Sequence, residues 1–331
     1  MLPPSFILTK GWGDATMDFR ENTQKPREDE TMASKFFEIH GVLPPVITPF
    51  TKEGKVDFEA FRKNIEKWND TGVAGYLVLG SNGETPYLEE EDKLELIRMA
   101  AQHKAPGKLL MAGTGLENTQ ATIRLTKKAA EAGAQCALVL TPNYYGDQMG
   151  DEALIAFFTK VADESPIPIL IYNVTKFTHV NISPRAASIL SHHPNIIGMK
   201  DSSGNIAQLI SFMTQGLDPE FNLLVGTASA WYPALAIGIK GAVMALANCC
   251  PQECVEVQRL FEAGDYAASL ELYKRMFPVN ACVTGKLGVP ALKYACNQLG
   301  YQGGEPCPPL LPLTEEQQKQ VDAILEKAKL V

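Results

Sequence analysis

From Gly41 onward, short apolar and β-branched runs alternate with stretches whose apolar positions recur every three or four residues. The runs begin at Gly41 (GVLPPVITPF), Gly75 (GYLVLG), Lys108 (KLLMAGTG), Cys136 (CALVLTP), Pro168 (PILIYNV), Ile196 (IIGMKDSS), Phe221 (FNLLVGTA) and Gly241 (GAVMALAN). They are apolar nearly throughout, as strands are when both faces are covered. Between them, residues 57–70 set Phe58, Phe61, Ile65 and Trp68 on one helical face. Residues 151–164 group Leu154, Phe157, Phe158 and Val161 in the same way, and residues 89–103 and 118–132 repeat the pattern. Asp57, Asn118 and Ser183 read as N-caps, and Pro184 suits a first helical turn. Ala132-Gly133 and Ile237-Gly238 read as helix stops.

Strand–helix alternation predicts parallel strands joined by right-handed crossovers. Eight units predict an α/β chain folded as a (β/α)8 TIM barrel over residues 41–248. After Asn248 the rhythm becomes helix after helix, at residues 255–263, 266–276, 289–299 and 314–329. We read this as a C-terminal helical extension over residues 249–331. Residues 1–40 mix Gly, Pro and both signs of charge without periodicity, and we expect a flexible N-terminal tail there. The tail lacks the apolar run of a secretory signal and is too acidic for a transit peptide. Met32 offers a second start, and an arm packed on a partner subunit is the other reading of this segment.

Composition narrows the function. The chain has 331 residues, and its 45% hydrophobic content excludes disorder for most of it. The most apolar windows, residues 167–172 and 242–247, are too short to span a bilayer, so no membrane partner is expected. The formal charge is −8 and no Lys/Arg cluster stands out, which argues against a nucleic-acid partner. Seven scattered cysteines suggest reduced thiols in an intracellular compartment. We expect a cytoplasmic protein, with a mitochondrial location left open. No CxxC or HExxH occurs and the five histidines share no ligand spacing, so no metal site is expected.

Barrel chemistry belongs at the C-terminal ends of the strands. The polar residues there are Thr48, Ser81-Asn82-Gly83-Glu84, Thr114, Thr141-Pro142-Asn143-Tyr144-Tyr145, Tyr172-Asn173, Lys200-Asp201-Ser202, Gly226-Thr227 and Asn248. Lys200 follows Ile196-Ile197-Gly198-Met199, so its stem leaves a buried strand. It suits an imine-forming amine, and it also suits a rim ion pair with Asp201. An ordinary lysine with a pKa near 10.4 presents the neutral amine at pH 7 in only about one molecule in a few thousand. A nucleophilic lysine therefore needs surroundings that restore the free base. Tyr172 ends the neighbouring strand, where a phenol shuttles protons or simply fills the core. Gly80-Ser81-Asn82-Gly83-Glu84 reads as a turn whose amides and short polar side chains suit a carboxylate, or as an ordinary capped turn. Gly113-Thr114-Gly115 starts like a dinucleotide fingerprint, but Asn118 stands where its last glycine belongs.

Four motifs in order resemble the dihydrodipicolinate synthase/N-acetylneuraminate lyase family of class I, Schiff-base aldolases. They are Gly80-Ser81-Asn82-Gly83-Glu84, Thr141-Pro142-Asn143-Tyr144, Tyr172-Asn173-Val174 and Gly198-Met199-Lys200-Asp201. The resemblance implies that Lys200 forms an imine with pyruvate or another 2-oxo acid and that Tyr172 is its general acid/base. It implies that Ser81, Asn82 and the Gly83 amide hold the α-carboxylate, and that Ser81 and Tyr144 complete a proton relay. In this family that tyrosine often reaches across a dimer interface. Val243 takes the position whose carbonyl lines the site. No cofactor is implied, and a homo-oligomer, dimer or tetramer, is.

The departures bear on the aldehyde partner. Synthases of the family carry Y-N-V-P-x-R-T, where the arginine binds the aldehyde substrate's carboxylate. Here the stretch is Tyr172-Asn173-Val174-Thr175-Lys176-Phe177-Thr178, so Phe177 replaces that arginine and Lys176 compensates only if it points inward. The Ser-Asn-Gly-Glu loop, Tyr144-Tyr145, Ser202 and His193-Pro194-Asn195-Ile196 are more similar to 4-hydroxy-2-oxoglutarate aldolases, which adds Ser202 and Tyr145 as substrate-binding candidates. The leading expectation is a lyase that cleaves a 4-hydroxy-2-oxo acid (4-hydroxy-2-oxoglutarate or a 3-deoxy-2-oxo sugar acid) to pyruvate and an aldehyde. The alternative is dihydrodipicolinate synthase, which condenses pyruvate with aspartate semialdehyde. A barrel that only senses a 2-oxo acid is the third reading.

Overall fold

The computed structural model describes residues 37–331. The expectation for residues 1–36 lies outside the described residues. Among those residues, eight parallel strands form one sheet: β1 (Gly41–Leu43), β2 (Gly75–Val78), β3 (Leu109–Gly113), β4 (Cys136–Leu140), β5 (Ile169–Asn173), β6 (Ile196–Asp201), β7 (Asn222–Val225) and β8 (Gly241–Val243). Pairing runs β1-β8-β7-β6-β5-β4-β3-β2. The ring closes between β1 and β2, where Ala74 N donates to Val42 O at 2.8 Å and Val46 N donates to Leu77 O at 2.9 Å. The expected (β/α)8 barrel is thus the fold.

Helices α1 (Phe58–Asn69), α2 (Glu90–His103), α3 (Thr119–Glu131), α4 (Asp151–Glu164), α5 (Thr175–Thr178), α6 (Pro184–Ser191), α7 (Ile206–Thr214) and α8 (Trp231–Ala236) alternate with the strands. Their starts follow the cap chemistry. Asp57 accepts from Ala60 N at 2.9 Å, Asn118 from Ala121 N at 2.9 Å and Ser183 from Ala186 N at 3.0 Å. After the barrel come α9 (Pro251–Glu262), α10 (Tyr266–Asn280), α11 (Val289–Gln298) and α12 (Glu315–Lys327), with a π-helical turn at Ala281–Lys286. Helix α9 starts earlier than its apolar periodicity suggests, because Pro251 opens it and supplies no amide that the first turn needs. No helix among the described residues is long and apolar enough to cross a membrane.

Strand periodicity sorts the apolar residues into two layers. Leu43, Leu77, Met111, Leu138, Leu170 and Val243 fill the barrel interior with Tyr172. Val78, Ala112, Val139, Ile171 and Met199 face the helices, where they meet Phe61, Trp68, Ile97, Phe158 and Phe212.

Asn222 sits in the interior at the N-terminal end of β7, buried among apolar neighbours. Its amide donates to Ile197 O at 2.9 Å and to Phe37 O at 3.0 Å, and its carbonyl accepts from Ile39 N at 2.7 Å. Residues 37–39, expected in the tail, are therefore fastened to the barrel floor. Replacing Asn222 by leucine strips partners from two carbonyls and one amide, each worth about 1–3 kcal/mol when left buried. The buried leucine recovers part of that loss, so Asn222→Leu is expected to lower the unfolding free energy by about 2–4 kcal/mol, read as a lower chemical-denaturation midpoint. An unchanged midpoint would show that these bonds carry no net stability.

Candidate active site

Residues β5 and β6 build the centre of the barrel mouth. Ile169 pairs with Ile196, but Leu170 pairs with Gly198, so Ile197 is an extra residue in β6. The slip brings Lys200 opposite Tyr172 and Asp201 opposite Asn173. Without it Met199 would face Tyr172, because side chains alternate with a period of two. Gly198 permits the close approach: a Cβ there would lie 2.5 Å from the Asn222 carbonyl oxygen.

Lys200 is 3% exposed and Tyr172 7% exposed. The Lys200 Nζ lies 4.1 Å from the centroid of the Tyr172 ring. Asp201 points to the opposite side of β6. Its carboxylate accepts from Asn173 Nδ2 at 2.7 Å, Gln208 Nε2 at 2.9 Å and Ser203 N at 3.0 Å. The rim ion pair between Lys200 and Asp201 is therefore not formed, and of the two readings the inward amine remains.

Burial is the largest influence on the Tyr172 phenol and raises its pKa, but the Lys200 charge and the Ser81, Ser202 and Lys200 side chains together outweigh it. The net direction is downward from the ordinary 10.0. The site thus brings Lys200, Tyr172, Ser81 and Ser202 together. Val243 is fully buried in the same interior cluster as Tyr172.

Ser81 and Asn82 stand on a single 3-10 turn, Ser81–Gly83, directly after β2. Leu79 (φ 62°) and Glu84 (φ 56°) flank it in the left-handed region. Thr48 Oγ1 donates to Gly83 O at 2.8 Å and Thr85 Oγ1 to Gly80 O at 3.0 Å, which fixes the turn from two sides. The expected role of the Gly83 amide needs correction: it donates to Gly80 O at 3.0 Å and is spent in closing the turn. The amides of Ser81 and Asn82 have no hydrogen-bond partner among the described residues and are the ones free for an anion.

Tyr144 and Tyr145 project to the surface in this chain. They are 78% and 67% exposed and touch each other edge to face at 5.0 Å. No hydrogen bond links Tyr144 to Ser81 or Tyr172 among the described residues. The Glu117 carboxylate sets their loop, accepting from Asn143 N at 2.9 Å and Tyr144 N at 3.0 Å. Lys176 donates to Gly285 O at 3.3 Å, so it reaches the helical extension instead of the interior, and Phe177 is 57% exposed. Asn248 is consumed structurally, bonding Ile47 N and Pro45 O at 3.0 Å each.

Sequence reasoning named Glu84 within its turn but missed its pairing with Lys293, and it missed Glu117 and Asn222. Lys293 carries a signal in retrospect: it is a charge inside the apolar helix face of Ala291, Leu292, Ala295 and Cys296.

A pH titration of tyrosinate absorbance tests the site's electrostatics. The step missing in Tyr172→Phe is expected below pH 10.0 in the native chain. In Lys200→Met it is expected to move upward, because burial then dominates. A native step at or above the ordinary phenol value would contradict the arrangement.

The Dihydrodipicolinate synthetase family model matches residues 38–328. The 4-hydroxy-tetrahydrodipicolinate synthase of Methanothrix thermoacetophila is 33% identical over 290 residues, covering 87% of this chain and 97% of that protein. The crystal structure of dihydrodipicolinate synthase from Aquifex aeolicus is 33% identical with a TM-score of 0.81, covering 88% of this chain and 99% of that one. YagE, a prophage protein from E. coli K12 solved in complex with pyruvate, is 29% identical with a TM-score of 0.83, covering 88% and 99%.

Proposed function

We propose, from the premise that this chain belongs to the dihydrodipicolinate synthetase family, that it is a pyruvate-dependent class I aldolase working through an imine on Lys200. The observation that carries this reading is the buried Lys200 amine 4.1 Å from the Tyr172 ring centroid, with Ser81 and Ser202 near enough to favour ionisation of the phenol. The free amine attacks C2 of a 2-oxo acid. Tyr172 moves protons to and from the carbinolamine, and water leaves to give the protonated imine. The imine withdraws the electron pair of the C3–C4 bond, or stabilises the enamine that attacks an aldehyde in the reverse sense. In cleavage the C4 hydroxyl proton is lost and the aldehyde departs. The enamine is then protonated at C3, and water releases pyruvate and the free lysine. The lysine supplies the electron sink itself, so this chemistry calls for no cofactor. Ser81 and Asn82, with their backbone amides, hold the α-carboxylate. Val243 lines the site.

Two readings of the aldehyde half follow. Relatives named 4-hydroxy-tetrahydrodipicolinate synthase favour condensation of pyruvate with aspartate semialdehyde. Phe177, with Lys176 turned to Gly285, favours cleavage of a 4-hydroxy-2-oxo acid, because the arginine that would bind the semialdehyde's carboxylate is missing. With either reading we retain a homo-oligomer and a cytoplasmic location. The exposed Tyr144-Tyr145 pair supports the oligomer, since side chains so exposed are available to a second subunit.

Borohydride reduction with pyruvate is expected to leave a covalent adduct on Lys200, absent in Lys200→Met; no adduct ends the imine reading. Tyr172→Phe is expected to lower turnover by about 10²–10⁴-fold. Pyruvate release from 4-hydroxy-2-oxoglutarate, measured against pyruvate consumption with aspartate semialdehyde, decides between cleavage and condensation.

A further inference from the structure

The turn that carries Ser81 and Asn82 ends on a side chain that the imine chemistry does not use. Glu84 follows Gly83, and its carboxylate lies in the junction with the C-terminal helices. The Lys293 Nζ sits 2.5 Å from its Oε1, and Cys307 N donates to its Oε2 at 2.7 Å. Lys293 also donates to Glu305 O at 2.6 Å and stands 4.6 Å over the Phe50 ring. Both charged side chains are 1% exposed.

An ion pair buried this deeply is a poor source of net stability. Desolvation of both charges offsets their attraction, and an apolar pair of similar volume often holds a structure as well. Burial accordingly pushes the Glu84 carboxyl up and the Lys293 amine down, each opposed by the other's charge. What the pair adds is direction. Glu305 N donates to Phe50 O at 2.9 Å, and Phe50 follows the segment whose Thr48 hydroxyl holds Gly83 O. Gly83 and Glu84 are therefore gripped from the β1 exit on one side and from α11 and residues 305–307 on the other.

We propose that Glu84 and Lys293 are positioning residues for the carboxylate cradle: the helical extension, through this pair, fixes where the free Ser81 and Asn82 amides point. The inference rests on the proposed imine chemistry. The substrate carboxylate is the same in the ground state and the transition state, so a misplaced cradle weakens binding without slowing the bound complex.

The test uses the full-length protein and pyruvate alone, which removes any dependence on the aldehyde. Borohydride trapping is measured against pyruvate concentration in the native chain, Glu84→Gln, Lys293→Met and the double variant Glu84→Leu/Lys293→Met. The half-saturating concentration is expected to rise roughly 10–100-fold in all three, the effect of losing one charge-assisted hydrogen bond. The trapping rate at saturation is expected to stay within about twofold. The double variant is decisive, because it removes both charges and is expected to regain the native melting temperature. Half-saturation restored along with stability would reduce the pair to a structural role and overturn the proposal. Hydrogen exchange on the native protein needs no variant: pyruvate is expected to protect residues 79–88 and 289–307 together, and protection of the first segment alone overturns the coupling. A native chain that gives no pyruvate adduct at all defeats the imine reading instead, which separates the two failures.

Discussion

Ile197 has no partner on β5, and this unpaired residue shifts the side-chain alternation of β6 by one position before Lys200. The constraint acts in both directions along the strand. Upstream, the slip needs a backbone that can approach Asn222 closely, which Gly198 provides, and an acceptor for the Asn222 amide, which Ile197 O provides. Downstream, it decides that an amine and not a thioether faces Tyr172. A closed barrel of short strands offers few inward positions near its mouth. One misplaced register step would bury Asp201 in the interior and turn Lys200 toward the helices.

The two sides of β5 and β6 then carry different electrostatics. Outward, Asp201 is satisfied by neutral donors from Asn173, Ser203 and Gln208, so its charge is spread over hydrogen bonds and is not shared with Lys200. Inward, the amine has an aromatic ring and a polarised phenol as neighbours. This separation keeps the Asp201 carboxylate away from the inward amine. A phenol that ionises more readily than usual can take up a proton and return it during imine formation.

What could be read from the chain divides along physical lines. The strands and the capped helices were legible because periodicity and cap residues are local, and Asp57, Asn118 and Ser183 cap as their chemistry suggests. Lys200, Tyr172 and Ser81 were legible because each ends an apolar run, and the barrel gathers those ends at one face. The Gly83 amide misled because a carboxylate nest and a closed 3-10 turn share one sequence, and only the Gly80 carbonyl decides which is built. The roles of Asn222 and Glu84 were hidden for another reason: their partners, at Phe37, Ile197, Lys293 and Cys307, are set by long-range closure that no local window contains.

The formal charge of −8 would seem to disfavour a 2-oxo acid. The structure shows why the overall charge has little bearing at this point. The groups free to meet a carboxylate are two backbone amides and two short side chains on a turn, and such donors act over hydrogen-bond distance. The protein's net field is screened over about 8–10 Å at physiological salt, so it influences encounter more than the bound state. Geometry must then do what charge does not, and a turn of three residues has little rigidity of its own. It borrows rigidity from Thr48 on one side and from the Glu84–Lys293 junction on the other. The helical extension thereby reaches the turn through Lys293 and residues 305–307. Helix α5, which bears Lys176 and Phe177, presents both side chains away from the interior, Lys176 to Gly285 O and Phe177 to solvent. The turn at Ser81–Gly83 is thus held from both sides, whereas Lys176 and Phe177 on α5 face the surface.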